Sequence, residues 1–278
     1  GKSSCFWEHL ANCNKAYSIV NNVPILFKSK PLSNLTGKFK AKWSYRDKIR
    51  DKKWLIKLHE IFGPPESSYH RTVKYNDVKI EKKLAEFLFS LKKNSIVLEV
   101  GSSDRKLGPN MVCFDINIFK NVDVVGDGRE LPFIDESFDA VILDSVLEHV
   151  EDAEKVVNEV HRVLKKNGIV YVETPFMMVY HGSPADFRRF TYDGHEDLFK
   201  KFKKVEEGIT VGPSSTLSMC LRYYPAMLLS FNNSFLFSLF LNIFGWLTFW
   251  IKYLDRFLNR HKKAFFLANI VYYIGKKQ

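Results

Sequence analysis

Cysteine is scarce: Cys5, Cys13, Cys113 and Cys220 are the only four among 278 residues. Thiols so few and scattered exclude a disulfide framework and point to a reducing compartment. The N-terminus has no apolar run of the kind a signal peptide needs, so none is expected. The chain begins at Gly1 rather than Met, and a preceding piece is expected to be missing or trimmed. Charge is absent between Tyr223 and Ile251, where no Asp, Glu, Lys or Arg occurs. Glycine is missing where a turn would use it, in 98-LEVGSSDRKLGPNMVCFDI-116. Aromatic residues are plentiful, at 15%, and the length suffices for one large domain with an appendage.

The net charge of +11 is unevenly spread. Residues 1–93 carry net +12, residues 94–212 net −8 and residues 213–278 net +7. An acidic middle between basic ends is not a uniform nucleic-acid surface, and no nucleic-acid partner is expected. The pattern suits a catalytic domain whose flanks face phospholipid head groups or a phosphorylated substrate. It suits solvated Lys-rich faces equally well.

Residues 1–36 read as a first unit, its clearest element the extended run 16-AYSIVNNVPILF-27 turning at Asn21-Asn22. Residues 37–77 read as a basic linker, helical over 47–62 and broken at Gly63-Pro64-Pro65. Residues 78–278 read as the main domain. Helical spacing of Ile80, Leu84, Phe87, Leu88 and Leu91 predicts a helix over 78–94. Strands are expected over 95–101, 111–116, 122–127, 138–145, 169–176 and 265–275, with a helix from Asp152 to a stop at Gly168. Alternation of this kind predicts an α/β fold: a doubly wound, mostly parallel sheet with helices on both faces. Ligands bind such sheets at the carboxyl ends of the strands, where strand order reverses.

Glycine and acid residues sit at those ends. Gly101 allows backbone to approach a ligand closely. Asp115 ends the next strand, where a carboxylate can accept from both ribose hydroxyls. Glu99 argues against a diphosphate, because two carboxylates repel one. A cationic, phosphate-free nucleoside such as S-adenosylmethionine suits them.

The run 126-GDGRELPFIDESFDAVILDSVLEHV-150, followed by 161-HRVLKKNGIVYVETPF-176, resembles the class I S-adenosylmethionine-dependent methyltransferases, especially their type 11 group. The segment 175-PFMMVYHGSPADFRRFT-191 resembles a glycine-poor subgroup of them. The resemblance implies a seven-stranded Rossmann-like sheet and S-adenosyl-L-methionine as cofactor. It places cofactor binding on Glu99, Gly101, Ser102, Ser103, Asp115, Ile116, Asp127, Gly128, Asp144 and Ser145. Where the family has its second and third glycines, this chain has Ser103 and Arg105. The Ser102 and Ser103 amides are expected to serve the methionine carboxylate, leaving a working site with altered lining.

Methyl transfer requires alignment of the acceptor and, for a hydroxyl, removal of a proton. His181 and Asp186 are the candidate catalytic residues, with His149 in reserve. His181 reads equally as a loop-structuring residue. Arg188 and Arg189 could hold an acceptor phosphate or carboxylate, or pair with Asp186 and Asp193. The fourth strand ends Asp144-Ser145-Val146-Leu147, without the Asn/Asp-Pro-Pro-aromatic motif of enzymes that methylate planar nitrogens, so oxygen or carbon is the expected target.

The segment 13-CNKAYSIVNNVPILF-27 resembles half of a zinc-ribbon-like unit found before some methyltransferases. One thiol of its pair is replaced by Leu10, and Cys5, His9 and Cys13 make no convincing tetrahedral site, so no metal is expected unless upstream residues restore one. The apolar insertion over 217–262 is read as a hairpin in the membrane interface. Trp246, Trp250 and Tyr253 would mark its boundary, and Lys252, Arg256, Arg260, Lys262 and Lys263 would face head groups. A buried helical pair is the alternative. The expectation is therefore a cytoplasmic enzyme, peripheral on the membrane through 223–263, methylating an oxygen of a small-molecule, lipid-linked or glycan-type acceptor. A non-catalytic cofactor-binding scaffold and an RNA-modifying methyltransferase are the rival readings.

Overall fold

The computed structural model describes residues 18–20, 23–26, 63–66, 68, 72–76, 78–182 and 185–278. The first described elements are β1 (Ser18–Val20) and β2 (Val23–Leu26), paired antiparallel; the predicted turn at Asn21-Asn22 lies outside the described residues. A second antiparallel pair, β3 (Thr72–Tyr75) and β4 (Val78–Glu81), stands apart from the main sheet. Helix α1 (Lys82–Ser90) follows directly. The helix predicted from residue 78 thus starts four residues late, because Val78–Glu81 pair with β3 and Glu81 caps α1 by accepting the Lys83 amide. The predicted helix over 47–62, Cys5, His9 and Cys13 lie outside the described residues.

The core strands are β5 (Val97–Val100), β6 (Met111–Asp115), β7 (Val124–Gly126) and β8 (Phe138–Asp144). Helix α2 (Ala153–Val163), β9 (Leu164–Pro175), α3 (Tyr192–Leu198) and β10 (Phe202–Val211) come next. The insertion holds α4 (Pro213–Ser230), α5 (Ser234–Thr248) and α6 (Asp255–Leu258), and β11 (Ile270–Lys277) closes the chain. Strand order is β1-β2-β7-β6-β5-β8-β9-β11-β10. From β2 to β9 neighbours run parallel, whereas β11 is antiparallel to both β9 and β10. The expected seven strands, β7-β6-β5-β8-β9-β11-β10, are present, and among the described residues the N-terminal β1–β2 pair extends the sheet to nine at the β7 edge through Ile25 and Leu26. Helices on both faces explain why β5, β6 and β7 are buried throughout, as parallel strands require.

Apolar side chains at helical spacing in α2 (Val156, Val157, Val160 and Val163) seat it on one face of the sheet. Asp152 caps it as expected, accepting the Lys155 amide at 3.2 Å. The helix ends at Val163 rather than Gly168, because fully buried Leu164 is drawn into the sheet opposite Phe138. The last strand likewise begins at Ile270; residues 264–267 form a 3-10 turn instead.

Helices α4 and α5 form an antiparallel pair that turns at Phe231 and Asn232, both with left-handed φ. Asn233 caps α5, accepting the amides of Phe235 and Leu236 at 2.9 and 3.1 Å. Fully buried Asp255 holds the start of α4: Oδ1 accepts the Ser214 amide at 2.7 Å, while Oδ2 takes the Ser215 amide at 3.0 Å and hydroxyl at 2.6 Å. A carboxylate at a helix N-terminus satisfies free amides and complements the helix dipole.

Candidate functional site

The order reverses between β5 and β8, and the predicted cofactor residues gather at the carboxyl ends of β5, β6, β7 and β8. Gly101 takes a left-handed φ of +75°, and a Cβ there would lie 2.4 Å from Val146 Cγ2. Only glycine fits. Ser103 and Ser145 also adopt left-handed φ, of 52° and 56°. Asp115 is buried and braces the loop, accepting the Ser103 amide at 3.0 Å and the Asn117 amide at 2.8 Å. Burial raises its pKa. Ile116 follows, half-buried.

The amides of Ser102 and Ser103 are not free for a carboxylate. Ser102 donates to the Phe114 carbonyl at 3.2 Å, and Ser103 donates to Asp115. That expectation is corrected: the missing glycines let the loop bond back onto β6. Gly128 packs beside Val100 without needing a special backbone angle. Asp127 accepts from the Arg129 guanidinium at 2.7 to 3.1 Å and from its amide at 2.9 Å. These bonds hold its carboxyl below the usual range despite partial burial.

Arg105, which replaces a family glycine, crosses the site. Its Nε donates to Glu99 Oε1 at 2.9 Å, Nη2 bonds the same oxygen, and Nη1 reaches Asp144 at 2.8 Å. Burial pushes the Glu99 carboxyl up to about 7, against the opposing pull of Arg105. The pair of free carboxylates inferred from the sequence is therefore partly neutralised. Glu99 Oε2 still has no hydrogen-bond partner among the described residues, so one buried acceptor remains for a cationic ligand. The Gly101 cradle and this acceptor fit the amino-acid end of S-adenosylmethionine, and Asp115 fits its ribose.

Sequence reasoning missed the acids beyond Asp144. Buried Glu173 sits across the β8–β9 register from Asp144, with Tyr171 donating to one oxygen and Thr210 to the other at 3.2 Å. Desolvation, helped by Asp144 and Glu81, lifts the Glu173 carboxyl well above its ordinary range. Burial brings Glu81 up to about 7. Only the extreme burial of β9 could have flagged Glu173, and one sequence does not show burial.

In the loop after β9 the pairing alternative holds for Arg189, while Arg188 and Asp186 depart from the roles expected of them. Arg189 spends its guanidinium on Asp186 and on the carbonyls of Met178, Val179 and Arg188, so it organises the loop rather than an acceptor. Arg188 donates to the Glu151 carbonyl. Asp186 accepts from Arg189 and from the His181 amide at 2.9 Å, which keeps its pKa low and makes it a poor base. His181 stands between Asp186 and Glu148, with its ring nitrogens 3.4 and 3.5 Å from their carboxylates. His149 lies beside it, ring centroids 5.0 Å apart.

Residues 106–172 match a family model described as a methyltransferase domain. Among curated relatives, a ubiquinone/menaquinone biosynthesis C-methyltransferase of Rickettsia typhi is 36% identical over 77 residues, covering 27% of this chain and 31% of the relative. A demethylmenaquinone methyltransferase of Staphylococcus aureus is 38% identical over 92 residues, covering 32% of this chain and 38% of the relative. This chain spans about a third of the length of these relatives. Among solved structures, the [4+2]-cyclase SpnF superposes with TM-score 0.45 at 14% identity, over 84% of this chain and 94% of that one. A Haemonchus contortus phosphoethanolamine N-methyltransferase gives 0.44 at 15% identity, over 84% of this chain and 61% of that one.

Proposed function

We propose that this protein is an S-adenosylmethionine-dependent methyltransferase, cytoplasmic and peripheral on a membrane, with an amphiphilic acceptor. The cradle of Gly101, Asp115 and the unshared Glu99 oxygen at the switch point of the sheet carries the reading. When bound, S-adenosylmethionine supplies an electrophilic methyl group on a cationic sulfur. The chain's part is to orient the acceptor behind that methyl and keep water out. Arg105 holds Glu99 and Asp144 in place, and Glu173, its carboxyl pushed above the ordinary range by burial, closes the edge of the site.

The membrane reading is supported by the α4–α5 pair and the 3-10 turn after it, which expose many large apolar side chains. Met227, Leu228, Phe231, Phe235, Leu247 and Trp250 are each more than half exposed. Large exposed apolar patches mark interaction sites. Residues 234–258 form a helical stretch long and apolar enough to cross a membrane, yet β11 returns the chain to the sheet. A hairpin lying in the interface accommodates both facts. Arg256, Arg260, Lys262 and Lys263 are exposed beside it. Lys252 is not: it is buried and donates to the Glu66 carbonyl, so it pins the 63–66 segment instead of meeting head groups.

Oxygen is the acceptor atom expected from the sequence. Carbon is the second reading, favoured by the relatives named C-methyltransferases. Calorimetric titration with S-adenosylmethionine and S-adenosylhomocysteine tests the core claim: micromolar binding, clearly weakened in Asp115→Ala. No binding by folded protein would hand the site to the scaffold reading. Sedimentation with anionic vesicles tests the membrane claim, with Trp250→Glu and Phe231→Glu expected to abolish it. Salt-sensitive RNA binding without vesicle binding would favour the RNA-modifying alternative. Mass spectrometry of product formed in membrane extracts separates oxygen from carbon methylation.

A further inference from the structure

Glu148 lies on the 3-10 turn Leu147–His149, just past the carboxyl end of β8, and its side chain is wholly buried. Neither carboxylate oxygen has a hydrogen-bond partner among the described residues. Burying a carboxylate without compensation is costly, so a group that satisfies it is expected. Two imidazoles face it. Nε2 of His181 is 3.5 Å from Oε1 and Nε2 of His149 is 3.8 Å from it, and one ligand atom from each of the three residues lies within 4.8 Å of the others.

The His149 ring is oriented from behind, and the His181 ring has a carboxylate close behind it. His149 Nδ1 meets the Ala185 carbonyl. A carbonyl only accepts, so Nδ1 carries the proton and Nε2 is the nitrogen presented to Glu148. His181 Nδ1 lies 3.4 Å from Asp186 Oδ2 without yet forming a hydrogen bond, and Asp186 is itself fixed by Arg189, so a small turn of the ring would complete the contact. Carbonyl and carboxylate partners on the far nitrogen are what align metal-ligating histidines.

We propose that Glu148, His149 and His181 bind one zinc-class divalent cation, leaving a fourth position open to an oxygen ligand. Two imidazoles and a single carboxylate favour zinc over magnesium or calcium, which prefer oxygen cages. A tetrahedral zinc sets its ligand atoms about 3.3 Å apart. The observed 3.5 and 3.8 Å separations therefore need only small side-chain rotations. The group departs from the sequence expectation of no metal, because the fold brings residues 149 and 181 to one carboxylate. The site follows the same strand ends as the cofactor cradle, so its open position suits an acceptor hydroxyl or enol. Bound there, the oxygen gives its proton to solvent and keeps the electron pair. This last step rests on the methyltransferase reading; cation binding does not.

The test uses the full chain, stripped with chelator and titrated with Co2+ while visible absorption is followed. One equivalent with intense tetrahedral bands, displaced by Zn2+, is expected. His181→Ala and Glu148→Gln should abolish it, and Asp186→Asn should weaken it by about 10- to 100-fold. A Cys5→Ser/Cys13→Ser variant should bind unchanged. Circular dichroism checks folding, and half-buried His181 carries the test if Glu148→Gln misfolds. Absence of a stoichiometric band in folded wild type overturns the proposal and leaves simple imidazole–carboxylate pairs. So does a band that survives both ligand variants, or one lost with the cysteines. S-adenosylmethionine titration of the stripped protein separates failure of this site from failure of the cofactor reading.

Discussion

Replacing Arg105 with alanine should destabilise the protein by an amount that depends on pH, and the dependence can be worked from Glu99. The Glu99 side chain is 1% exposed and Arg105 is its ion-pair partner. In the wild type its carboxyl titrates at about 7, raised from 4.5. The sign follows. A carboxyl raised in the folded state costs stability as pH climbs above the unfolded value, and the cost stops growing once the folded group ionises, at about 7. Without Arg105 the folded carboxyl holds its proton to higher pH, so the cost keeps growing by about 1.4 kcal/mol per pH unit. Near pH 6 both forms carry a protonated Glu99, and the variant loses the partly exposed link to Asp144 and the hydrogen bonds to a neutral Glu99, together about 1 kcal/mol. Near pH 8.5 the loss should reach about 3 kcal/mol, in the range for breaking a buried pair. Urea unfolding at the two pH values, followed by circular dichroism, measures it. Adding Glu99→Gln should flatten the difference. An equal loss at both pH values, or one the second substitution leaves unchanged, would refute the coupling.

Gly101→Ala forces a Cβ into Val146 at a left-handed φ, and should cost about 2–4 kcal/mol and remove S-adenosylmethionine binding, read by denaturation and calorimetry. Asp255→Ala strips the start of α4 of three hydrogen bonds, and thermal unfolding should report a loss of about 2–3 kcal/mol. Buried His195 bonds Thr174 at 2.8 Å, and burial lowers its pKa to about 4. Its folded pKa is depressed, so stability is full above about 6.5 and falls by about 3 kcal/mol as pH drops toward 4. His195→Gln should make that acid slope visibly shallower; an unchanged slope would sink the assignment.

The local pattern of this chain determined its core. Apolar runs ending in Gly101, Asp115 and Asp144 could only be strands with their polar ends at one rim, and the spacing in α2 could only face a sheet. Those facts are written in periodicity, which a sequence displays directly. Asp115 and Gly101 were legible for the same reason, since a strand end fixes where its last residue points. Long-range pairing was not legible. The β1–β2 pair joins the sheet through a parallel contact with β7, about a hundred residues away, and Val78–Glu81 became strand because β3 was there to pair with them. Arg105 looked like a lost glycine until its side chain was seen to span Glu99 and Asp144. Lys252 looked like a head-group contact until packing turned it inward to Glu66. Glu148 was legible only as part of the 126–150 run that resembles the methyltransferases, because burial, and the approach of His181 from another loop, are properties of the assembled sheet. The sequence by itself decided which residues line the rim. The tertiary structure decided which of their charges are already paired, since pairing depends on distances that only folding sets.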